Sequence, residues 1–361
     1  MIKRKSLKKV FLSALVVGLA IGLSLALRLI GRHDRGANTI EDSRFLLDTL
    51  ALIRIYQSDR QEILDGAFEL IEELENQLSR YRVSSEISRI NSTPLNTAVS
   101  ISDPTRELIA VGLSYARLSD GAFDPTIGAL VSLWGIGTEN AQVPTPLEIQ
   151  AALSIVDYRA VSIGSRTVTL KQKSPISASG SARMTLDLGG IAKGWIADRV
   201  AEFLQNNGER NFLINLGGNI LVSGSKPNGE AYRIGMQDPF GDRGKYLGIF
   251  TLKEGSVVSS GIYERFSELD GKRYHHILST SSGYPVKNNI AGVTVLSEQS
   301  VDGDALSTIV FALGIDEGLR LVHSLNGIEA ALINTDGNIL ITPGAASIFE
   351  SSVPNLQIEV R

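Results

Sequence analysis

Apolar positions along this chain change their period several times, and each change marks an element. Ile63, Leu64, Ala67, Phe68, Ile71, Leu74 and Leu78 fall on one helical face behind Ser58-Asp59-Arg60-Gln61, which reads as a capping-box start, and predict a helix to about Ser79. Before it, Phe45 to Tyr56 alternates as a strand does, and Gly36 to Ser43 reads as a short linker. Arg80 to Asn91 is polar with little periodicity. Asp103-Pro104 then opens a helix to about Leu118, with proline at its first position. Phe123-Asp124-Pro125-Thr126 punctuates the chain ahead of a short apolar helix to Trp134, and Thr145-Pro146-Leu147-Glu148 caps another. Short strands are expected from Ala160 to about Leu188. Ile191, Ile196, Val200 and Phe203 then recur at helical spacing until Asn206-Asn207-Gly208. Strands follow to Leu296, then helices over Ser300–Leu313 and Asp316–Leu325. Two last strands, Ala330–Asn334 and Asn338–Thr342, precede a tail. Strand runs mixed with helices define an α+β fold with mixed sheets and packed helices.

Ahead of all this, Val10 to Leu27 runs 18 residues without a charge. As a helix that run measures about 27 Å, close to a bilayer core. Lys3, Arg4, Lys5, Lys8 and Lys9 precede it, and Arg28, Arg32 and Arg35 follow. The pattern predicts an uncleaved membrane anchor with a cytoplasmic N-terminus, a cleaved export signal being the alternative. The chain therefore divides into an anchor over 1–36, a domain over 37–343 and a tail over 344–361.

Composition adjusts this picture in two places. The 361 residues contain no cysteine, which excludes disulfides and thiolate metal sites. The formal net charge is −4. Residues 1–35 hold eight Lys/Arg and one Asp, a net +7, so the remainder carries −4 − 7 = −11. An acidic body argues against nucleic acid as the partner.

Four stretches could carry chemistry. Asp187-Leu188-Gly189-Gly190-Ile191-Ala192-Lys193-Gly194 reads as strand, glycine turn and helix N-terminus, and Asn215-Leu216-Gly217-Gly218-Asn219 repeats the first half of that pattern. Bare amides at a helix start suit an anion, with Lys193 adding a fixed charge. A sharp turn needing positive φ beside a surface lysine accounts for the same residues. In Asp302-Gly303-Asp304-Ala305-Leu306-Ser307-Thr308, Asp304 and Thr308 are four apart and share a helix face, where a carboxylate and a hydroxyl could hold a hard cation. A helix cap plus a packed threonine is the alternative. His275 and His276 are adjacent on a strand, point to opposite faces and cannot chelate one ion. Val257-Val258-Ser259-Ser260-Gly261-Ile262-Tyr263-Glu264-Arg265 ends a strand in hydroxyls that could grip a polar ligand or cap a bulge. No Gly-x-Gly-x-x-Gly follows a strand, and no phosphate loop or nucleophile elbow is present.

Taken in order, Phe123-Asp124-Pro125-Thr126, Asp187 to Gly194, Asn215 to Asn219, Ser260-Gly261-x-Tyr263-Glu264-Arg265, His275-His276-Ile277 and Asp304 to Thr308 resemble the ApbE family, the FAD:protein FMN transferases. The resemblance runs from about Leu46 to Thr342. It implies a T-fold-like α+β domain that is exported and often tethered to a membrane. It also implies magnesium-dependent cleavage of FAD, with FMN passing to a Thr or Ser hydroxyl of a partner flavoprotein and AMP leaving. The partner would be an exported or membrane subunit, met on the extracytoplasmic side. By the same resemblance Asp304, Thr308 and the Gly190 carbonyl would ligate magnesium, and Lys193 would face the phosphates. Asp124, Asp187, Ser260, Glu264, His276 and Ile277 would line the FAD pocket, with Tyr81, Ser85 and Glu86 folded over the nucleotide. Asp304 and His276 are the catalytic candidates. The chain departs from the family's pattern at Leu278-Ser279-Thr280-Ser281-Ser282-Gly283-Tyr284-Pro285, which lacks the usual Asp-Pro, and at Ile262, where a polar residue is common.

Overall fold

A computed structural model describes residues 38–171, 183–242 and 244–361. The anchor expected over Val10–Leu27 lies outside them, and among the described residues no helix is long and apolar enough to cross a membrane.

Nine strands form the main sheet, and their order in space is their order in the chain. They are β1 (Thr39–Leu46), β2 (Thr49–Tyr56), β3 (Phe212–Leu216), β4 (Asn219–Ser223), β5 (Gly255–Gly261), β6 (Ile290–Ser297), β7 (Glu329–Asn334), β8 (Ile339–Ile341) and β9 (Ile358–Val360). Every neighbouring pair is antiparallel except the last. Every other described element is an insertion between consecutive strands. The long insertion after β2 carries α1 (Gln61–Leu78), α2 (Glu86–Ser92), α3 (Asp103–Leu118), α4 (Gly128–Trp134), α5 (Pro146–Leu153) and α6 (Ala192–Asn206). Between β6 and β7 come α7 (Ser300–Leu313) and α8 (Ile315–His323).

The sheet is covered on both faces. Val293, Val295, Ala330 and Leu332 pack with the helices, among them Leu64, Phe68 and Ile71 of α1 and Ile309 and Val310 of α7. On the other face, Leu296, Val257, Ala331 and Ile333 pack with Tyr232, Ile234 and Phe250. Those last residues belong to a three-stranded sheet of Tyr232–Gln237, Tyr246–Leu252 and Phe349–Ser351. Such double cover buries β6 at every position and leaves no alternation to read in its sequence.

The structure departs from the sequence expectations in several places. From Thr39 to Tyr56 the expected linker and strand are one hairpin, turned at Leu47 and Asp48, both with φ near +56°. Neither residue is a glycine, so the turn carries no sequence signal, and β1 has no buried position to betray a strand. The capping box expected at Ser58 is absent: Arg60 is the N-cap, and the Ser58 hydroxyl donates to Glu209 at 2.8 Å. The box at Thr145 forms with both reciprocal bonds. The polar segment after Arg80 contains α2, too short to show a period but anchored by buried Ile87 and Ile90. Asp187 and Leu188 are not in a strand, their neighbour Thr185 making only an isolated bridge to Ile127. The residues expected as a tail close both sheets, through Phe349–Ser351 and β9.

Candidate active site

Strand register gathers the candidate residues at one end of the main sheet. The β1–β2 turn lies beyond the Leu46–Thr49 pair. The β3–β4 turn at Gly217 and Gly218 lies beyond Leu216 and Asn219, whose neighbour across the sheet is Val258. Strand β5 continues past that row through Ser259, Ser260 and Gly261, and β6 starts there at Ile290. The insertion carrying Glu264, Arg265, His275 and His276 therefore leaves and re-enters the sheet at this end.

The two glycine pairs do different work. Gly217 and Gly218 have φ of 63° and 99°, values that suit glycine in a two-residue hairpin turn, and the Asn215 side chain accepts from the Gly218 amide at 2.9 Å. Gly190 has no positive φ. A Cβ there would lie 3.0 Å from the Phe123 ring, so what glycine supplies is room for the Phe123–Thr126 segment beneath it. That segment is stitched to the glycine run, since the Asp187 amide donates to the Pro125 carbonyl at 2.8 Å.

Helix α6 starts directly after Gly190 and Ile191, with no side-chain cap of its own. The Gly194 amide belongs to the first turn, whose amides no carbonyl of the helix reaches. It donates to Oδ2 of Asp304 at 2.9 Å. The second Asp304 oxygen lies 3.5 Å from the Lys193 ammonium. The Asp304 side chain is 5% exposed, so a buried carboxylate meets one amide and one cation. Thr308 follows one turn later, its hydroxyl 3.5 Å from the Asp304 carbonyl. Asp304 and Thr308 offer oxygens of the kind a hard cation takes, and the ammonium shows that positive charge is accommodated there. Among the described residues no group of three or more His, Asp or Glu could hold a metal, so a cation here would rely on these mixed oxygens, water and substrate.

Ser260 reaches the same helix, its hydroxyl 2.8 Å from that of buried Ser307. His276 lies within electrostatic reach of Lys193 and Arg265. Burial, with those cations, pushes the imidazole down to about 4, so it is neutral at physiological pH. Its Nδ1 is 3.1 Å from the Arg265 carbonyl. A carbonyl only accepts, so Nδ1 carries the proton and Nε2 keeps the lone pair. His275 turns elsewhere, with Nε2 on the Val286 carbonyl at 2.9 Å and its ring against Phe311. Ile277 is buried in the helix-side core. Glu264 follows the β5 end, its amide on the Gly261 carbonyl at 3.3 Å.

The remaining sequence candidates serve as joints. The Ser85 hydroxyl caps α2 through the Ser88 amide at 2.9 Å. Glu86 accepts from the Ser102 amide and hydroxyl at 2.9 and 2.8 Å and so ties α2 to the start of α3. Burial opposes its charge, but these bonds and Thr105 hold the carboxyl below its ordinary range. Asp124 is buried and accepts from Thr126 and from the Tyr158 amide at 2.9 Å, burial raising its carboxyl above the usual range. Asp187 is held by Arg80, whose guanidinium also donates to the Gly128 carbonyl at 3.0 Å and lies 5.4 Å from the exposed Tyr81 ring. Tyr81 in turn lies within electrostatic reach of Asp187, Arg265 and Asp48, so its loop borders the same sheet end.

Sequence reasoning missed Arg80 and Asp198. Arg80 was one basic residue in a polar segment. Asp198, midway along α6, accepts from the Ser300 and Val301 amides at 2.7 and 2.9 Å across the helix interface, and helical spacing cannot reveal a contact 102 residues away.

Fold and site together define an α+β protein with an oxygen-rich, cation-ready cluster at one end of its main sheet. The chain belongs to the ApbE family, whose model matches residues 47–339. It is 35% identical over 300 residues to a FAD:protein FMN transferase of Klebsiella pneumoniae, covering 83% of this chain and 90% of that one. It is 33% identical to the FAD:protein FMN transferase of Treponema pallidum, covering 87% and 90%. Among solved structures, the ApbE protein of Thermotoga maritima superposes with a TM-score of 0.77 at 30% identity over 86% of this chain and 99% of that one. The flavin transferase ApbE of Vibrio cholerae gives 0.76 at 28% over 87% and 100%.

Proposed function

We propose that this chain is an FAD:protein FMN transferase that moves FMN from FAD to a Ser or Thr hydroxyl of a partner flavoprotein in a magnesium-dependent reaction. The hydroxyl oxygen bonds to the FMN phosphorus, the bond from that phosphorus to the bridging oxygen of the pyrophosphate breaks, AMP leaves, and the hydroxyl proton passes to a base. The observation that carries this reading is the buried Asp304 carboxylate, set between the Gly194 amide and Lys193. Asp304, Thr308 and the Gly190 carbonyl would hold the magnesium ion. Bound there, it would neutralise charge growing on the pyrophosphate. Lys193 supplies a fixed positive charge to the same phosphates. The neutral His276, with Nδ1 committed to Arg265, offers the Nε2 lone pair to a hydroxyl and adds no cationic charge. Ser260, Glu264 and Tyr81 border the sheet end where the nucleotide would lie. Val10–Leu27 would tether the domain to the membrane with the site on its extracytoplasmic side, where an exported or membrane-bound acceptor would be met.

The test uses residues 37–361 with FAD, magnesium and an acceptor domain bearing a flavinylation-type Thr, read by intact mass. The expected result is a gain of one FMN on the acceptor, abolished by EDTA and in Asp304→Ala. AMP and free FMN without that gain would replace transfer by hydrolysis. FAD bound without turnover would make this a binding protein.

A further inference from the structure

Helices α6 and α7 cap each other. Neither Ile191 nor Gln299, their N-cap residues, makes a side-chain cap. The amides at the start of α7, Ser300 and Val301, are taken by the two oxygens of Asp198 from α6 at 2.7 and 2.9 Å. The Gly194 amide at the start of α6 is taken by Asp304 from α7 at 2.9 Å. Between the two exchanges the helices touch backbone to backbone, where a Cβ on Gly194 would lie 2.4 Å from the Ser300 carbonyl oxygen. A carboxylate at a helix start satisfies orphan amides and meets the positive dipole end, so each exchange holds the partner helix in angle and register.

From this reciprocity we infer that Asp198 is a positioning residue for Asp304. Asp198 fixes the first turn of α7 on α6, and that turn sets where the Asp304 carboxylate lies relative to Gly194, Lys193 and the Gly190 carbonyl. Asp198 touches neither substrate nor metal in this assignment. Without its two bonds the first turn of α7 is free to shift on α6, and the Asp304–Gly194 bond is the one most directly exposed to that shift. The inference rests on the proposed cation role of Asp304 for its functional meaning, but its structural half stands alone.

The experiment follows two readouts on wild type, Asp198→Ala, the milder Asp198→Asn and Tyr115→Phe. The last removes a contact to Asp302 in the same α7 turn. The first readout is amide hydrogen exchange at Gly194 in the metal-free protein. Exchange about tenfold faster in Asp198→Ala, intermediate in Asp198→Asn and unchanged in Tyr115→Phe is expected. Unchanged Gly194 protection in a folded Asp198 variant overturns the inference. The second readout is Mn2+ binding followed by water-proton relaxation. An affinity loss of about tenfold or more is expected in Asp198→Ala, the scale at which residues behind a metal ligand act, and wild-type affinity in Tyr115→Phe. Equal losses in both variants would make Asp198 a general stabiliser and overturn the positioning role. If wild type binds no Mn2+ while the exchange pattern appears, the cation reading of the site fails and the positioning of Asp304 stands.

Discussion

Asp304 sits where two demands would meet, since a buried carboxylate must be neutralised and the proposed metal ligand must stay available. Lys193 answers the first demand at 3.5 Å, and the same ammonium opposes any dication that approaches Asp304. Lys193→Met therefore has two effects of opposite sign. Metal affinity in the absence of FAD should rise, because a competing cation is gone, while FAD affinity should fall, because a phosphate partner is gone. Titrations with Mn2+ and with FAD measure the two separately, and a fall in both would show that Lys193 only stabilises the fold. Asp304→Ala removes the one charged ligand of the proposed cation site. Metal-dependent AMP release should drop about 10²–10³-fold or more, the cost of losing one preorganised charge-stabilising group. Activity near wild type in that variant would remove the metal assignment. Much of this residue set was visible in the sequence, because Asp304 and Thr308 share a helix face and the Asp187–Gly194 run announces a helix start. What the sequence hid was which amide Asp304 would take, since that depends on two helices crossing.

The crossing of α6 and α7 is the element on which the site depends. Gly194→Ala should destabilise the protein by about 1–3 kcal/mol, the usual cost of forcing extra volume into a packed contact. Because the intrusion is against the Ser300 and Val301 backbone, relief requires the helices to part, and metal affinity should fall with stability. Urea denaturation and Mn2+ titration on the same variant test the coupling, and lost stability with wild-type metal binding would break it. The long helices were legible: α3 and α7 have the boundaries their patterns predict, while α1 is capped at Arg60 rather than Ser58 and ends about one residue early. The elements that escaped share physical reasons. β1 is an edge strand carrying Glu41, Asp42 and Arg44, charges that protect an edge and erase the strand pattern. Its turn puts Leu47 and Asp48 at positive φ, where glycine or asparagine would have been expected. The order of strands in space needed the structure, because covered antiparallel strands such as β6 look alike in sequence.

At the scale of the whole molecule, two half-buried groups set opposing slopes on stability against pH. Asp198 is raised from 3.8 to about 6, chiefly by burial, with nearby Asp302 adding and the Ser300 and Val301 amides opposing. Between about pH 4 and 6 the native state therefore holds a proton on Asp198 that the unfolded chain has lost, and this group makes stability fall as pH rises. His276 goes the other way, since its pKa drops from 6.5 to about 4 on folding. Over that interval the unfolded chain holds the extra proton, and stability rises with pH until about 6.5. His275, also lowered by burial, adds to the second slope, and Asp124, raised by burial, adds to the first. The wild-type curve between pH 4.5 and 6 should consequently be flatter than either group alone would make it. Asp198→Asn removes one counterweight, so its stability should fall more steeply than wild type as pH drops through this window. His276→Gln removes the other, so its curve should lose slope or reverse. Urea unfolding of the three proteins at half-unit steps from pH 4.5 to 7.5 reads the difference curves directly. Curves that run parallel would mean that neither group changes its proton affinity on folding, and the neutral imidazole assigned to His276 would fall with them.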